Sequence, residues 1–260
     1  MIFKIILIQE ISMIINVLTL FPDMFTPVTE ESILGRAKEN GILDIRLTDI
    51  RNYSLDKHKK ADDYPFGGGA GMVIMADPIF NALNAIEAKG KKIIYMSPRG
   101  KVLNQERISE IARNEELIIL CGHYEGIDQR IIEHWDMEEL SIGDYILTGG
   151  ELPAMILIDA VARMIPDVLG SSKAHNEESI YSGLLEYPQY TKPREYLGME
   201  VPEVLVSGNH KLIHLWQFEK SLQLTKERRP DLFAAFIKNI DNLTKEENKI
   251  LKKITESPVY

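Results

Sequence analysis

Residues 117–126 have the sequence LIILCGHYEG, in which five apolar residues run directly into a turn that two glycines bound. A short apolar run that ends at turn residues is typical of a core strand. Similar runs occur at Met13–Leu20, Ile42–Thr48 and Lys92–Ser97, and they alternate with stretches of helical character. This alternation predicts an α/β fold, in which helices cover a parallel sheet.

Five stretches between and after these strands are expected to be helices. They are Thr29–Asn40, Asp77–Lys89, Asn104–Asn114, Ile127–Trp135 and Glu151–Ile165. In the second of them, we expect Asp77 to cap the helix and Pro78 to occupy its first position. The last is apolar on almost every side, which predicts burial in the core or in a subunit interface.

The composition limits the kind of protein that this chain can be. Hydrophobic residues make up 45% of the 260 residues, enough for a packed core. The net charge of −9 argues against coating nucleic acid through bulk positive charge, although a local basic face remains compatible with it. The single cysteine excludes a disulfide framework. Since no apolar run reaches the ~18 residues of a membrane span, we expect a cytoplasmic protein.

The character of the chain changes along its length, and this predicts its domain organisation. Residues 1–12 precede the first core strand and are interpreted as an N-terminal extension. Residues 13–170 are expected to form the α/β domain. Residues 171–194, rich in glycine, serine, proline and acids, are expected to be a linker or lid. Residues 195–260 become polar and helical, which predicts a small all-α C-terminal domain.

Three segments lie where a predicted strand meets a turn: Tyr95–Pro98, Cys121–Gly126 and Ser141–Gly150. In open α/β sheets, ligands bind at the carboxyl ends of strands, where glycines allow a close approach of the backbone. Any one of these segments taken alone is more often a plain turn. The three together predict a ligand site.

Other features have two interpretations each. The glycine-rich run Phe66–Met72 is either a tight surface turn or a backbone surface for a phosphate or a base, and the basic run Asp56–Lys60 is either a solvated loop or a phosphate-contacting surface. Cys121 is more simply a core residue than a nucleophile, because the sequence shows no third residue to orient it. An ordinary helix pair with Asp159 would explain Arg163 without a functional role.

In this order, the motifs resemble one family closely: the bacterial tRNA (guanine-N1)-methyltransferases of the knotted SPOUT class. The resemblance extends from Met13 to about Leu232, and it accounts for residues 1–12, because chains of this family usually begin where Met13 stands. The matching runs are Leu20–Phe25, Asp56–Lys59, Asp62–Asp63, Pro65–Met72, Tyr124–Arg130, Ser141–Met155, Ile158–Arg163 and Gly183–Pro193.

The resemblance implies an α/β domain with a deep trefoil knot, a homodimer with its active sites at the subunit interface, and methylation of N1 of the guanosine at tRNA position 37. It implies S-adenosyl-L-methionine as the methyl donor. The residues that would contact the donor are Tyr95, Ser97, Pro98, Gly122, Tyr124, Glu125, Ile142, Gly143, Asp144, Tyr145, Ile146, Leu147, Gly149 and Gly150.

The resemblance also assigns the catalytic residues. A carboxylate is needed to remove the proton of guanine N1, and a cation is needed where negative charge develops on O6. Arg163 takes the second role by its family position. The family typically has Glu-Asp-Ser in the linker, whereas this chain has Glu177-Glu178-Ser179. Glu178 is therefore expected to be the base, with Glu177 as the alternative. Mg²⁺ is implied by the resemblance alone, and we predict no protein ligands for it.

Binding of RNA is expected at Lys57, His58 and Lys59 in the basic loop and at Arg228 and Arg229 in the tail. Two other functions remain open. One is a different SPOUT RNA methyltransferase, acting on a ribose 2′-hydroxyl or on ribosomal RNA. The other is an RNA-binding protein without catalytic activity.

Overall fold

The computed structural model describes residues 13–169, 183–240 and 243–256. The predicted N-terminal extension and the candidate base Glu178 lie outside these described residues. The chain forms two compact units, Met1–Gly170 and Ser171–Tyr260. No helix in the described ranges is both long and apolar enough to cross a membrane.

The first unit contains seven strands and six α-helices among its described residues. The strands are β1 (Met13–Thr19), β2 (Leu43–Asp49), β3 (Asp62–Asp63), β4 (Val73–Ile74), β5 (Lys92–Val102), β6 (Glu116–Cys121) and β7 (Glu138–Ser141). The helices are α1 (Thr26–Thr29), α2 (Ser32–Glu39), α3 (Ala76–Ala85), α4 (Gln105–Ile111), α5 (Gln129–His134) and α6 (Glu151–Ala162), with 3-10 turns at Pro22–Met24 and Ile50–Tyr53.

Five of these strands form one sheet in the order β2-β1-β6-β5-β7, and every neighbouring pair is parallel. The prediction of an α/β fold with a parallel sheet is therefore confirmed. Strands β3 and β4 form a separate antiparallel pair. Because all five strands of the main sheet run the same way, their carboxyl ends meet at one edge, where the first unit can hold a ligand.

Strand β6 lies in the middle of the sheet and is buried on both faces. Its residues from Leu117 to Cys121 are all 0% exposed. Leu117, Ile119 and Cys121 pack with α6, while Ile118 and Leu120 pack with α3 and α5 on the opposite face. Burial raises the pKa of the Cys121 thiol well above its usual value, and the nearby Glu151 adds to the shift. Cys121 is thus a protonated core residue.

The helix boundaries show where local patterns are insufficient. The predicted helix Thr29–Asn40 corresponds to α2, which begins only at Ser32, because the extended backbone of Glu31 separates it from the short α1 that ends at Thr29. The cap predicted at Asp77 and the first position predicted for Pro78 are both wrong, since the cap is Met75 and α3 begins at Ala76. Pro78 is tolerated in the first turn because the amides there have no partner within the helix. By contrast, Asn104 does cap α4, accepting a hydrogen bond from the Arg107 amide at 2.8 Å.

The second unit contains α7 (Glu203–Val206), α8 (His210–Arg228), α9 (Pro230–Lys238) and α10 (Lys245–Glu256). Its core is Leu184, Leu222, Phe233 and Ile254. The unit is not purely helical as predicted, because β8 (Glu195–Tyr196) and β9 (Met199–Glu200) form an antiparallel hairpin. Its two turn residues, Leu197 and Gly198, both have positive φ, which matches tight hairpin geometry. A leucine in this position is a weak sequence signal for such a turn.

Candidate active site

A cavity of about 210 Å³ lies at the carboxyl edge of the main sheet, beyond β6 and β7 and beside the middle of β5. The structure brings together there the three strand-end segments identified in the sequence. The strand predicted to end at Ser97 instead continues to Val102, with an irregularity in its pairing between Met96 and Lys101. Thirteen of the fourteen candidate donor-contacting residues line the cavity. The exception is Asp144, whose side chain is exposed and does not belong to the wall.

Two glycines from different segments touch in the wall of this cavity. The Gly150 amide donates a hydrogen bond to the Gly122 carbonyl at 2.7 Å. A Cβ on Gly150 would lie 2.7 Å from the Gly122 nitrogen, and a Cβ on Gly122 would lie 2.8 Å from the Tyr95 hydroxyl. Since real Cβ atoms do not approach other atoms so closely, both positions require glycine. The segments after β6 and after β7 are therefore joined backbone to backbone.

Tyr95 forms part of the same wall and is 5% exposed. Burial raises the pKa of its phenol, and the negative charge of Glu139 raises it further. A higher pKa keeps the hydroxyl protonated at neutral pH. Tyr95 can therefore act as a neutral hydrogen-bonding group in the cavity, and it contributes no negative charge.

The turn after β7 is organised by Ser141 and Gly143. The Ser141 hydroxyl donates to the Gly143 carbonyl at 3.0 Å and accepts from the Gly143 amide at 3.2 Å. Gly143 has a φ of +151°, and a Cβ there would lie 2.5 Å from the Tyr145 ring. This compact turn leaves Tyr145, Ile146 and Leu147 exposed at the mouth of the cavity.

A buried polar cluster lies against the cavity wall and escaped the sequence analysis. Glu151, the first residue of α6, is 2% exposed, and its carboxylate accepts a hydrogen bond from the Thr19 hydroxyl at 2.8 Å. The other carboxylate oxygen lies 3.7 Å from Nδ1 of His123. His123 lines the cavity, and its ring packs on Phe21 with the centroids 4.8 Å apart. The cluster connects the ends of β1 and β6 to the start of α6.

Arg99 is a second wall residue that sequence reasoning missed. Its guanidinium donates to both carboxylate oxygens of Glu139 at 3.2 Å and to the Gln129 side chain at 3.2 Å. The available signal was position alone, because Arg99 directly follows the segment Tyr95–Pro98. Glu139 and Gln129 are distant in sequence, so only the fold reveals that they hold this arginine at the cavity.

The remaining candidates lie elsewhere in the chain. Arg163 is the half-buried C-terminal cap of α6 and does not line the cavity. Lys57, His58 and Lys59 are exposed in the loop before β3. In the second unit, Arg228 ends α8 and is exposed, and Arg229 follows it.

Arg229 is engaged within its own unit. It forms an ion pair with Asp231 at 2.6 Å. Its hydrogen bonds lower the pKa of that carboxyl to about 2. Contact of Arg229 with a phosphate would therefore compete with Asp231.

A parallel sheet with a glycine-walled cavity at its carboxyl edge is the arrangement in which α/β proteins typically bind a small organic ligand. Comparison with known sequences identifies the family to which this protein belongs. The profile of the family described as tRNA (Guanine-1)-methyltransferase TrmD matches residues 13–235, and the chain belongs to this family.

Individual relatives agree with the family assignment. A protein named tRNA (guanine-N(1)-)-methyltransferase from Ruminiclostridium cellulolyticum is 57% identical over 221 residues, covering 84% of this chain and 95% of the relative. Proteins of the same name from Clostridium perfringens and Alkaliphilus oremlandii are 53% and 52% identical. These two alignments cover 92% and 93% of this chain, and 98% of each relative.

The Thr19–Glu151 hydrogen bond gives a stability prediction. Thr19→Val keeps the shape of the side chain but leaves a buried carboxylate oxygen without its donor and the Phe21 amide without its acceptor, and this should lower the free energy of unfolding by about 1–3 kcal/mol. Thr29→Val is the matched control, because Thr29 is equally buried, donates at 3.1 Å to a helical carbonyl that already accepts an amide, and makes only a long 3.5 Å contact with the Glu30 carboxylate. Urea denaturation of both variants measures the difference. Equal losses would contradict a special role for Thr19.

Proposed function

We propose that the protein transfers the methyl group of S-adenosyl-L-methionine to N1 of the guanosine at tRNA position 37, on the 3′ side of the anticodon. The observation that carries this proposal is the cavity at the carboxyl edge of the sheet, whose wall contains thirteen of the fourteen residues that the resemblance assigns to the donor. Family membership supplies the class of reaction.

The cavity fits the chemistry of this donor. Gly122, Gly149 and Gly150 line the cavity, and a Cβ at each would meet Tyr95, Glu151 or the Gly122 backbone, so glycine lets these segments pack closely around the space that the donor would occupy. The Glu125 carboxylate in the wall provides negative charge for a cationic ligand. When bound, the donor supplies a methyl group already activated on a positively charged sulfur. The task of the protein is then to orient the two reactants and to move one proton.

Two side chains would assist the transfer. We assign Glu178 as the base that accepts the proton from guanine N1, and Arg163 as the cation that stabilises the negative charge developing on O6. Among the described residues, no group of three or more His, Cys, Asp or Glu is placed to hold a metal ion. Mg²⁺, if used, would reach the site bound mainly to water and RNA.

The chain is also proposed to carry the trefoil knot and to act as a homodimer. The strand order, with β5 between β6 and β7, and the contact of Gly150 with Gly122 support a threaded arrangement of these segments. Helix α6 leaves Leu152 and Ile156 about half exposed, although most of its other residues are buried. Leu152 and Ile156 lie one turn apart on α6, and Ile146 is exposed at the mouth of the cavity; a second copy would cover these apolar side chains.

The position of methylation is tested directly with tRNA transcripts. With a methyl-labelled donor, we expect incorporation into a transcript that has guanosine at position 37 and none when that base is replaced by adenosine. Mapping of the product should place the methyl group on N1. Methylation of a ribose 2′-hydroxyl or of ribosomal RNA would support a different SPOUT methyltransferase. Binding without any transfer would support an RNA-binding module.

Glu178→Gln tests the proposed base. The methyl-transfer rate in a single turnover should fall about 10²- to 10⁴-fold, because a neutral amide does not accept the N1 proton. The deficit should narrow as the pH rises, since hydroxide can then remove this proton. Glu177→Gln is the matched control and should remain within a few fold of the parent protein. The reverse ranking of the two variants would identify Glu177 as the base.

The homodimer is tested by Ile156→Glu, which places a charge on the exposed face of α6. We expect light scattering after gel filtration to show a monomer that no longer methylates tRNA. The control Ile237→Glu alters a similarly exposed isoleucine in the second unit, and it should leave the mass in solution unchanged. A dimer that persists in Ile156→Glu would place the interface elsewhere.

A further inference from the structure

The loop between β3 and β4 presents an aromatic ring without neighbours. Phe66 is 102% exposed, the highest value among the large apolar residues described, and Tyr64 in the same loop is 77% exposed. Gly67, Gly68 and Gly69 follow with φ values of +90°, +78° and +123°, and a Cβ on any of them would meet no atom within 4 Å. The ring therefore projects into solvent and gains none of the burial that favours aromatic residues in cores.

The base of this loop is attached to the wall of the cavity. The Glu125 amide donates to the Met72 carbonyl at 3.0 Å, and the Ile74 amide donates to the Gly126 carbonyl at 3.0 Å. Gly71 also lies against Glu125, because a Cβ there would be 2.5 Å from the carboxylate. Phe66 is five residues from Gly71, a span of at most about 18 Å. The ring thus lies within a few nucleotides of any base that is held at the cavity.

The charges around the loop favour a polyanion as the partner. Two basic residues that precede β3 are neutralised by acids of that strand. The Lys60 ammonium lies 2.9 Å from the Asp63 carboxylate, and the Arg51 guanidinium lies 3.7 Å from the Asp62 carboxylate. Lys59 instead donates to the neutral side chain of Asn52 at 2.7 Å, so its charge remains available.

The residues just before Lys59 also favour a polyanion as the partner. Lys57 is exposed, and the neighbouring Asp56 carboxylate accepts the backbone amide of His58 at 2.7 Å. The exposed ring is thus accompanied by available lysines, the combination that binds single-stranded nucleic acid.

Two other binding partners of the Phe66 ring agree less well with the structure than RNA does. Phe66 does not line the cavity, which argues against the adenine of the methyl donor as its partner. A protein partner normally covers a broad apolar patch, whereas the exposed apolar surface of this loop is mainly that of Tyr64, Pro65 and Phe66, because the three glycines that follow add none. A single flat ring is suited to stacking on one flat partner.

We propose that Phe66 is a stacking platform for an unpaired base of the RNA substrate close to the target guanosine. The proposal rests on the proposed function, because it takes the tRNA anticodon loop as the RNA. It adds a residue that recognises RNA through its π-face, and such recognition tolerates any base.

The test compares four variants of the full-length protein with an anticodon stem-loop. Phe66→Ala and Phe66→Leu should both raise the KM for RNA about 5- to 150-fold, the range expected for loss of one stacked base. Phe66→Trp, which keeps a ring, should stay near the parent value. Leu55→Ala is the matched control, since Leu55 is 83% exposed in the neighbouring loop but has no ring, and its KM should not change. The affinity for S-adenosyl-L-methionine without RNA should be equal in all four.

A fluorescent base analogue, 2-aminopurine, next to the target position gives an independent signal. The quenching of its fluorescence on binding should be lost in Phe66→Leu and kept in Phe66→Trp.

A leucine variant with the parent KM would overturn the proposal, because the contact would then need only an apolar side chain. Weaker donor binding by Phe66→Ala without RNA would also overturn it and make the ring a cover for the cofactor. Failure of the proposed function is distinguishable, since the parent protein itself would then transfer no methyl group.

Discussion

The hydrogen bond between the Gly150 amide and the Gly122 carbonyl is the contact on which the site depends. It joins the segment after β7 to the segment after β6 at a separation that no side chain would allow. The cavity exists because these two backbones meet and Tyr95 closes the space beside them. A Cβ at Gly150 would meet the Gly122 backbone, and one at Gly122 would meet the buried Tyr95 ring, so glycine at both positions allows the close packing that shapes the cavity.

Helix α6 combines a buried carboxylate at its first residue with an apolar body that is partly exposed. Glu151 is a buried carboxylate at the start of an otherwise largely apolar helix. Its position at a helix N-terminus and its hydrogen bond from Thr19 offset part of the cost of burying this charge. The same bond fixes the helix against the end of β1. The opposite side of α6 is then free to present Leu152 and Ile156 to another surface.

An acidic protein that acts on RNA needs a local basic surface to bind the phosphates. The net charge of −9 gives no general attraction for a polyanion. Several basic residues are engaged by neighbouring acids, as Lys60 is by Asp63 and Arg229 is by Asp231. The exposed lysines at positions 57 and 59 lie in a loop whose base is attached to the cavity wall. In the arrangement that we propose, shape and stacking contribute to recognition of RNA where the net charge of the protein does not.

The sequence by itself determined the elements whose signals are local. Short apolar runs predict the strands and the parallel sheet. The motifs at the strand ends were sufficient to anticipate most of the cavity wall. Only the tertiary structure decided that Glu151 and Arg99 belong beside that wall and that His123 lies against Glu151, because these contacts join residues between 28 and 132 positions apart in the chain. Contacts over such separations leave no periodic pattern in a single sequence, since they depend on how the completed strands and helices pack.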